Sequence, residues 1–384
     1  MVREGNIISE KAGFNSSTDW MAKSKVGMMF HYLSSIAGGS DDIMTPGKWQ
    51  EVVASFDAEK FVAKLKKVGI GHILFTLGQN SGYYCSPNSE YESVTGYNTK
   101  ETRKTSERDI IRDILDEIER QNANIKVMLY IPSHPPAEDK NACERFGWTY
   151  KGLDGYNPSS PSKDISKGWY KVIEEWSVRY GDDLAGWWFD GLYNPSFHDF
   201  KALTESAKRG NVNSIIASNA GVKQFSYNPY DDYMAGEQQD LSTDIYSKGR
   251  WTKGMQNQLL TPMGKNWMQG GVKYTDNQLV DFLRYFNSNE STATFDSPID
   301  VNNGGALYED HMKQMKRVLS ILNVEDGIDG LNESSTREEI HNVNAIVSNM
   351  DSELKKLIVS EKYDKLVQLS LPNNVTEVKV EPAQ

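Results

Sequence analysis

Cysteine and histidine are scarce in this sequence. Two cysteines, Cys85 and Cys143, and six histidines occur among 384 residues. Two cysteines are too few for a disulfide scaffold or for a zinc site built from thiolates. The histidines include no His-x-His pair, and His31 stands alone at the end of a strand-like run. We therefore expect neither a metal nor another cofactor, although a metal-dependent hydrolase stays open as a minor alternative.

Long apolar runs and clusters of basic residues are also missing. No segment is apolar over the roughly 20 residues that a membrane-spanning helix needs, and residues 1–20 hold no signal-peptide core. The net charge is −11, and the lysines are scattered along the chain. We expect no membrane span and no nucleic-acid partner. The compartment stays open, because a secreted or periplasmic form whose signal peptide was removed is compatible with the sequence.

What is present is an alternation of strand-like and helix-like patterns. Residues 58–68, for example, carry apolar side chains at helical spacing between Asp57, a capping residue, and Gly69, a stop signal. No glycine-rich phosphate loop follows the first strand, which counts against a dinucleotide-binding fold. The pattern predicts a TIM-like (β/α)8 barrel that is irregular in its second half. The predicted strands are 26–31, 72–76, 125–130, 184–190, 214–218, 233–237, 266–271 and 292–299.

The composition changes near Asn323, where a polar stretch rich in Glu, Ser and Gly begins. We predict a catalytic barrel over residues 1–322 and a C-terminal appendage over residues 323–384. Within the appendage, residues 338–357 are typical of an amphipathic helix and residues 374–380 of an edge strand. This tail either packs on the barrel or begins an accessory module.

The strongest functional signal is the stretch LAGWWFDG at residues 184–191. Its apolar run stops at Asp190, and the C-terminal ends of barrel strands carry catalytic residues. A second carboxylate, Glu237, follows the sixth predicted strand. Two carboxylates across a barrel mouth are what glycoside hydrolysis requires, one as nucleophile or base and the other as acid. Asp240 and Asp232 are the alternatives to Glu237 for the second role.

Other polar and aromatic side chains lie at the ends of predicted strands or in the long loops that follow them. Such side chains contact the hydroxyls and the ring faces of sugars. Tyr83 and Trp188 fit packing of the core or of a loop equally well. The candidates for substrate binding are His31, Gln79, Asn80, Tyr83, Tyr130, His134 and Trp188.

The segments VGMMFHY, HILFTLGQNSGYY, KVMLY and GDDLAGWWFDG, in this order, resemble the barrel of glycoside hydrolase family 29, the α-L-fucosidases. The resemblance covers roughly residues 20–320, and its most specific element is the WFDG strand end. It implies a retaining exo-glycosidase in which Asp190 is the nucleophile and Glu237 is the acid/base. It also implies that Trp267, in NWM, lines the sugar pocket.

The sequence departs from that family after the second strand. The family reads Lys-His-His-Asp-Gly-Phe there, and its histidines hold fucose hydroxyls, whereas this chain reads GQNSGY with Gln79 and Asn80. Amides still donate to and accept from hydroxyls, but with a different geometry. The expected substrate is therefore an oligosaccharide or glycan that ends in α-L-fucose or a related deoxy or hexose sugar. A non-catalytic carbohydrate-binding barrel is the alternative.

Overall fold

The computed structural model describes residues 14–38, 44–152 and 158–371. The chain divides into two compact units. The first contains Met1–Lys273 and Tyr285–His311, and the second contains Tyr274–Arg284 and Met312–Gln384. The division into a barrel and an appendage at residues 322 and 323 stays a prediction.

A parallel sheet forms the centre of the first unit. In chain order, the described strands are β1 (Val26–Phe30), β2 (His72–Thr76), β3 (Lys126–Pro132), β4 (Leu184–Asp190), β5 (Ile215–Ser218), β6 (Trp251–Thr252), β7 (Met255–Gln256), β8 (Gln258–Pro262), β9 (Thr292–Asp296), β10 (Ile299–Asp300) and β11 (Ala306–Leu307). Seven of them pair in the order β5-β4-β3-β2-β1-β9-β8, and every pair is parallel. This sheet is a curled parallel half-barrel, consistent with a TIM-like barrel.

The segment from Asp232 to Gln238 lies between the two edge strands, β5 and β8. The Asp232 N–H donates to Ile216 O at 2.9 Å, and the Gln238 N–H donates to Leu260 O at 2.8 Å. Its two β-bridges, from Tyr233 to Gln256 of β7 and from Glu237 to Leu260 of β8, are isolated, and it is not a regular strand. Gly236 has a φ of 65°, and a Cβ there would lie 1.8 Å from Gln258 O. Closure by an eighth strand stays a prediction.

The predicted strands match β1 to β5 and β9 to within a few residues, but the one expected at residues 266–271 is wrong. The strand lies earlier, at β8, whose five residues are all buried. Residues 266–271 form a loop in which Met268 and Gly271 have φ values of 60° and 89°. These left-handed conformations do not continue a strand.

Most helices begin and end where local signals place them. Asp57 accepts a hydrogen bond from the Lys60 N–H, and Gly69 has a φ of 94°, so the helix over 58–68 is confirmed. The helices are α1 (Asp19–Ser24), α2 (Ser34–Gly38), α3 (Pro46–Ala54), α4 (Ala58–Val68), α5 (Ser89–Thr95), α6 (Ile110–Arg120), α7 (Lys140–Arg145), α8 (Lys163–Tyr180), α9 (Phe200–Ala207), α10 (Asp276–Ser288), α11 (Glu309–Gly330), α12 (Arg337–Ser348), α13 (Ser352–Lys355) and α14 (Ser360–Leu369). No described helix is both long enough and apolar enough to cross a membrane.

The second unit is helical and contains an ion pair whose carboxylate is buried. The Arg284 guanidinium donates to both oxygens of Glu325, which is buried. The single helix expected over residues 338–357 is wrong, because Asp351 accepts a hydrogen bond from the Glu353 N–H and starts α13 separately from α12. The edge strand expected at residues 374–380 lies outside the described residues.

Apolar side chains from neighbouring strands of the sheet meet in one buried cluster. Tyr130 and Trp188 stack within it, with ring centroids 5.4 Å apart. Its buried members are Met21, Met29, Leu74, Met128, Tyr130, Trp188, Ile215, Ala217, Tyr233, Ala235 and Leu260. Its members Met29, Trp188 and Ala217 each lie two residues before a polar residue at the C-terminal end of a strand, namely His31, Asp190 and Asn219.

Candidate active site

Asp190 is the last residue of β4, and three hydrogen-bond donors face its carboxylate. The Tyr130 hydroxyl donates to Oδ2 at 2.6 Å. The Gly191 N–H and the Asn219 amide donate to Oδ1 at 2.8 and 3.0 Å. Gly191 has a φ of 77°, a conformation that glycine adopts without a Cβ penalty. The carboxylate is thus held in one orientation and remains partly exposed.

Asn219 joins Asp190 to the second predicted carboxylate, Glu237. Its Nδ2 donates to Glu237 Oε2 at 2.7 Å as well as to Asp190 Oδ1 at 3.0 Å. The two carboxylate oxygens can therefore be no more than 5.7 Å apart, the greatest separation that these two distances allow. Asn219 follows β5 directly and is buried. The structure thus brings the two predicted carboxylates together.

Glu237 lies in an environment that favours its protonated form. Burial raises the pKa of the Glu237 carboxyl above its ordinary value, and the charge of Asp190 raises it further. The hydrogen bond from Asn219 and the proximity of His31 act in the opposite direction on this pKa. Proton donation to a leaving group needs a carboxylic acid that stays protonated to higher pH than an exposed one.

His31 follows β1, and its imidazole is held by a buried carboxylate. Its Nδ1 lies 2.7 Å from Asp296 Oδ1, and Asp296 is the last residue of β9. The other Asp296 oxygen accepts the Met268 N–H at 2.6 Å. This contact tethers the loop that carries Trp267, whose ring centroid lies 6.4 Å from that of His31.

Gln79 is connected to Asp190 through the Tyr130 hydroxyl. Its Nε2 donates to the Tyr130 hydroxyl at 2.7 Å, and that hydroxyl in turn donates to Asp190. Burial, followed by the charge of Asp190, raises the pKa of Tyr130, so its hydroxyl keeps its proton. Asn80 lies beside Gln79, and its Oδ1 is buried without a hydrogen-bond partner among the described residues.

Three predicted binding residues have other surroundings. The Tyr83 hydroxyl donates to Met44 O at 3.0 Å. Trp188 is buried and donates to Ala235 O at 3.0 Å. His134 is also buried, and it lines a neighbouring cavity. Their roles as sugar ligands stay predictions.

The two alternatives to Glu237 are placed differently. Asp232 is buried at the start of its segment, where it accepts from Lys208 Nζ at 2.6 Å and from the Ile216 N–H at 3.0 Å. Asp240 is exposed. Of the three carboxylates, Glu237 is the one that shares the Asn219 amide with Asp190.

The sequence-based selection missed Asn219 and Asp296. Asn219 carried the signal that identified Asp190, because it directly follows a predicted strand. Asp296 lies inside the strand predicted over residues 292–299, and it ends the observed strand β9. Applied to every predicted strand, the strand-end rule finds Asn219, whereas it finds Asp296 only at the observed end of β9. Within residues 14–38, 44–152 and 158–371, no group of three or more His, Cys, Asp and Glu side chains is placed to hold a metal ion.

No family model and no curated protein matches the sequence. Solved structures do match it. An endo-fucoidan hydrolase from glycoside hydrolase family 107 gives a TM-score of 0.61 at 14% identity, over 82% of this chain and 55% of its own. An α-L-fucosidase in complex with Fucα(1,6)GlcNAc gives 0.52 at 16% identity, over 80% and 99%. The α-L-fucosidase isoenzyme 1 from Paenibacillus thiaminolyticus gives 0.54 at 14% identity, over 80% and 76%.

The chain spans about half the length of the family 107 structure. At these identities the likeness concerns the fold. The fold of this chain is one that fucose-acting glycoside hydrolases share.

Proposed function

We propose that this chain is a retaining exo-glycosidase that releases a terminal α-L-fucose, or a related deoxy or hexose sugar, from oligosaccharides or glycans. The observation that carries the proposal is the shared Asn219 amide, which limits the separation of the Asp190 and Glu237 oxygens to 5.7 Å. Carboxyl groups lie roughly 5–5.5 Å apart in retaining enzymes and roughly 6.5–9.5 Å apart in inverting ones. The limit supports retention.

In the first step, an Asp190 oxygen attacks the anomeric carbon and the bond from that carbon to the leaving oxygen breaks. Glu237 gives its proton to the leaving oxygen. Its raised pKa supports this role as an acid. The hydrogen bonds from Tyr130, Gly191 and Asn219 orient the nucleophile, which lowers the cost of reaching the attack geometry.

In the second step, Glu237 is a carboxylate and takes a proton from water. The water oxygen attacks the anomeric carbon, and the bond to Asp190 breaks. Two inversions at the same carbon return the original configuration. This exchange needs no cofactor, since Glu237 supplies and accepts every proton and Asp190 forms and releases the bond to the anomeric carbon.

Three side chains are suited to hold the sugar. With its Nδ1 directed at Asp296, His31 has Nε2 for a sugar hydroxyl. The buried Asn80 Oδ1 accepts from a hydroxyl, which supplies the partner that it otherwise lacks. Trp267 offers an aromatic face beside His31. The names of the structural neighbours, α-L-fucosidases and an endo-fucoidan hydrolase, support a fucose-like glycone.

The test is hydrolysis of a panel of 4-nitrophenyl glycosides, α-L-fucoside included, by the wild type, Asp190→Ala and Asp240→Ala. We expect turnover of one glycoside that is lost in Asp190→Ala. Asp240→Ala is the matched control, because Asp240 is an exposed carboxylate close to Glu237 in the chain, and it keeps this turnover. NMR of the first product identifies its anomer. An inverted first product contradicts retention, and binding without turnover favours the non-catalytic carbohydrate-binding barrel.

A further inference from the structure

A cavity of about 260 Å³ lies next to the end of β4. Its lining includes His134, which follows β3, and Gly191, which directly follows Asp190 at the end of β4. The cavity therefore lies at the same end of the sheet as Asp190. The mechanism proposed above uses none of its side chains.

Tyr193 relates this cavity to the carboxylate pair. It lines the cavity, and a methyl group placed on Gly221 would lie 3.8 Å from Tyr193 Cε1. The Gly221 N–H donates to Asn219 Oδ1 at 3.1 Å, and Asn219 bridges the two carboxylates. The Tyr193 ring thus borders both the cavity and the backbone that holds Asn219.

Trp148 provides the strongest sign of a ligand. It lines the cavity and is 2% exposed, yet its Nε1–H has no hydrogen-bond partner among the described residues. Most buried donors are paired, so an unpaired donor on a residue that lines a cavity points to a ligand oxygen as its partner. Its ring centroid lies 6.2 Å from that of His134 and 5.8 Å from that of His198.

His198 contributes an uncharged surface. Burial lowers the pKa of His198 to about 3, and its Nδ1 lies 2.9 Å from the Tyr170 hydroxyl. The cavity is lined by an indole, a phenol and two imidazoles, together with Lys151, so it combines apolar ring faces with a few polar atoms. Aromatic rings with polar atoms at their edges suit the apolar faces and hydroxyls of a sugar.

We propose that this cavity binds the saccharide on the leaving-group side of the scissile bond, with the Trp148 Nε1–H donating to one of its oxygens. The inference rests on the function proposed for Asp190 and Glu237. It makes a disaccharide the smallest full substrate, in which the leaving sugar residue receives its proton from Glu237.

The kinetic test compares two substrates, 4-nitrophenyl α-L-fucoside and α-L-fucosyl-(1,6)-N-acetylglucosamine. In Trp148→Phe the ratio of kcat/KM for the disaccharide to that for the nitrophenyl fucoside falls about tenfold, the loss of one neutral hydrogen bond. The matched control is Trp187→Phe, since the Trp187 Nε1–H donates to Ala207 O in the core at 2.9 Å. This control keeps the ratio. An unchanged ratio in Trp148→Phe overturns the proposal.

A binding test separates this inference from the catalytic one. Calorimetry on Asp190→Ala measures its affinity for the same disaccharide and for methyl α-L-fucoside. We expect the disaccharide to bind about tenfold more tightly, and the Asp190→Ala, Trp148→Phe protein to lose that advantage. If the wild type is nevertheless inactive, this binding result contradicts the catalytic proposal and supports the cavity proposal. Equal affinities, or no binding of the disaccharide, overturn the cavity proposal.

Discussion

His31 Nδ1 lies 2.7 Å from Asp296 Oδ1, although the two residues are 265 positions apart in the chain. A carboxylate oxygen accepts hydrogen bonds, so this contact favours the tautomer of His31 with its proton on Nδ1, and Nε2 is directed elsewhere. The second oxygen of Asp296 accepts the Met268 N–H at 2.6 Å, next to Trp267. Met268 has a φ of 60°, which is uncommon for a residue other than glycine. The hydrogen bond to Asp296 stabilises this backbone conformation. One carboxylate therefore orients two of the proposed sugar ligands.

Replacing Asp296 by Asn tests this positioning role. Asn donates as well as accepts, so it no longer selects one tautomer of His31. We expect kcat/KM for the cleaved glycoside to fall about tenfold to a hundredfold, the value of one hydrogen bond to a charged group. Asp300→Asn, at an exposed aspartate four residues later, is the matched control and keeps its activity. Equal activities of the two variants, both folded by circular dichroism, contradict this role of Asp296.

Removal of the shared amide in Asn219→Ala changes the pH dependence. The hydrogen bond from Asn219 lowers the pKa of Glu237, so its loss moves that pKa upward. The alkaline limb of kcat/KM, where the acid loses its proton, shifts to higher pH, and the maximum falls because Asp190 loses one orienting donor. A pH-rate profile measures both effects. The control is Asn213→Ala, at an exposed asparagine before β5, and it keeps the wild-type profile. A shift of the alkaline limb to lower pH in Asn219→Ala contradicts the prediction.

Replacing Asp190 by Asn removes its charge, and we expect this change to lower the pKa of Glu237. Burial is the main reason that the pKa of Glu237 is raised, and the charge of Asp190 adds to it. Removing the charge lowers this pKa, but burial keeps it above its ordinary value. Titration of the Glu237 side-chain carboxyl by ¹³C NMR, with Glu237→Gln to assign the signal, checks the prediction. A pKa that rises in Asp190→Asn shows that the two carboxylates do not interact as described.

Asp231 makes stability depend on pH. Burial raises the pKa of Asp231 to about 7, although hydrogen bonds from Ser226 and Ser218 oppose the shift. Between about pH 4, the ordinary value, and pH 7 the native state binds more protons than the unfolded chain, so stability falls as pH rises. The contribution of protonated Asp231 to the free energy of unfolding is fully present below this pH window. It is lost across the window, at up to about 1.4 kcal/mol per pH unit.

Urea unfolding of the wild type and of Asp231→Asn across this window measures the effect. The free energy of unfolding of the wild type should fall more steeply with pH than that of Asp231→Asn, because the amide does not titrate. Asp240→Asn, at an exposed aspartate, should keep the wild-type slope. Parallel curves for the wild type and Asp231→Asn rule out a titrating Asp231.

The position of Asp190 was predictable because its signal is local. A buried parallel strand requires a continuous apolar run, and the residue at which that run stops lies at the strand end. The same logic located β1, β2, β3 and β9. It failed at residues 266–271, where an apolar pair resembles a short strand but left-handed residues make a loop, and where the buried strand is β8.

The sequence by itself determined the alternation of strands and helices, the scarcity of metal-binding side chains and the placement of Asp190 at a strand end. Only the tertiary structure decided which groups meet Asp190. Asn219 reaches both Asp190 and Glu237, and Asp296 reaches His31, because the strand order brings together segments that are far apart in the chain. Strand order and side-chain direction depend on packing across the whole sheet. A local pattern of residues records neither of them.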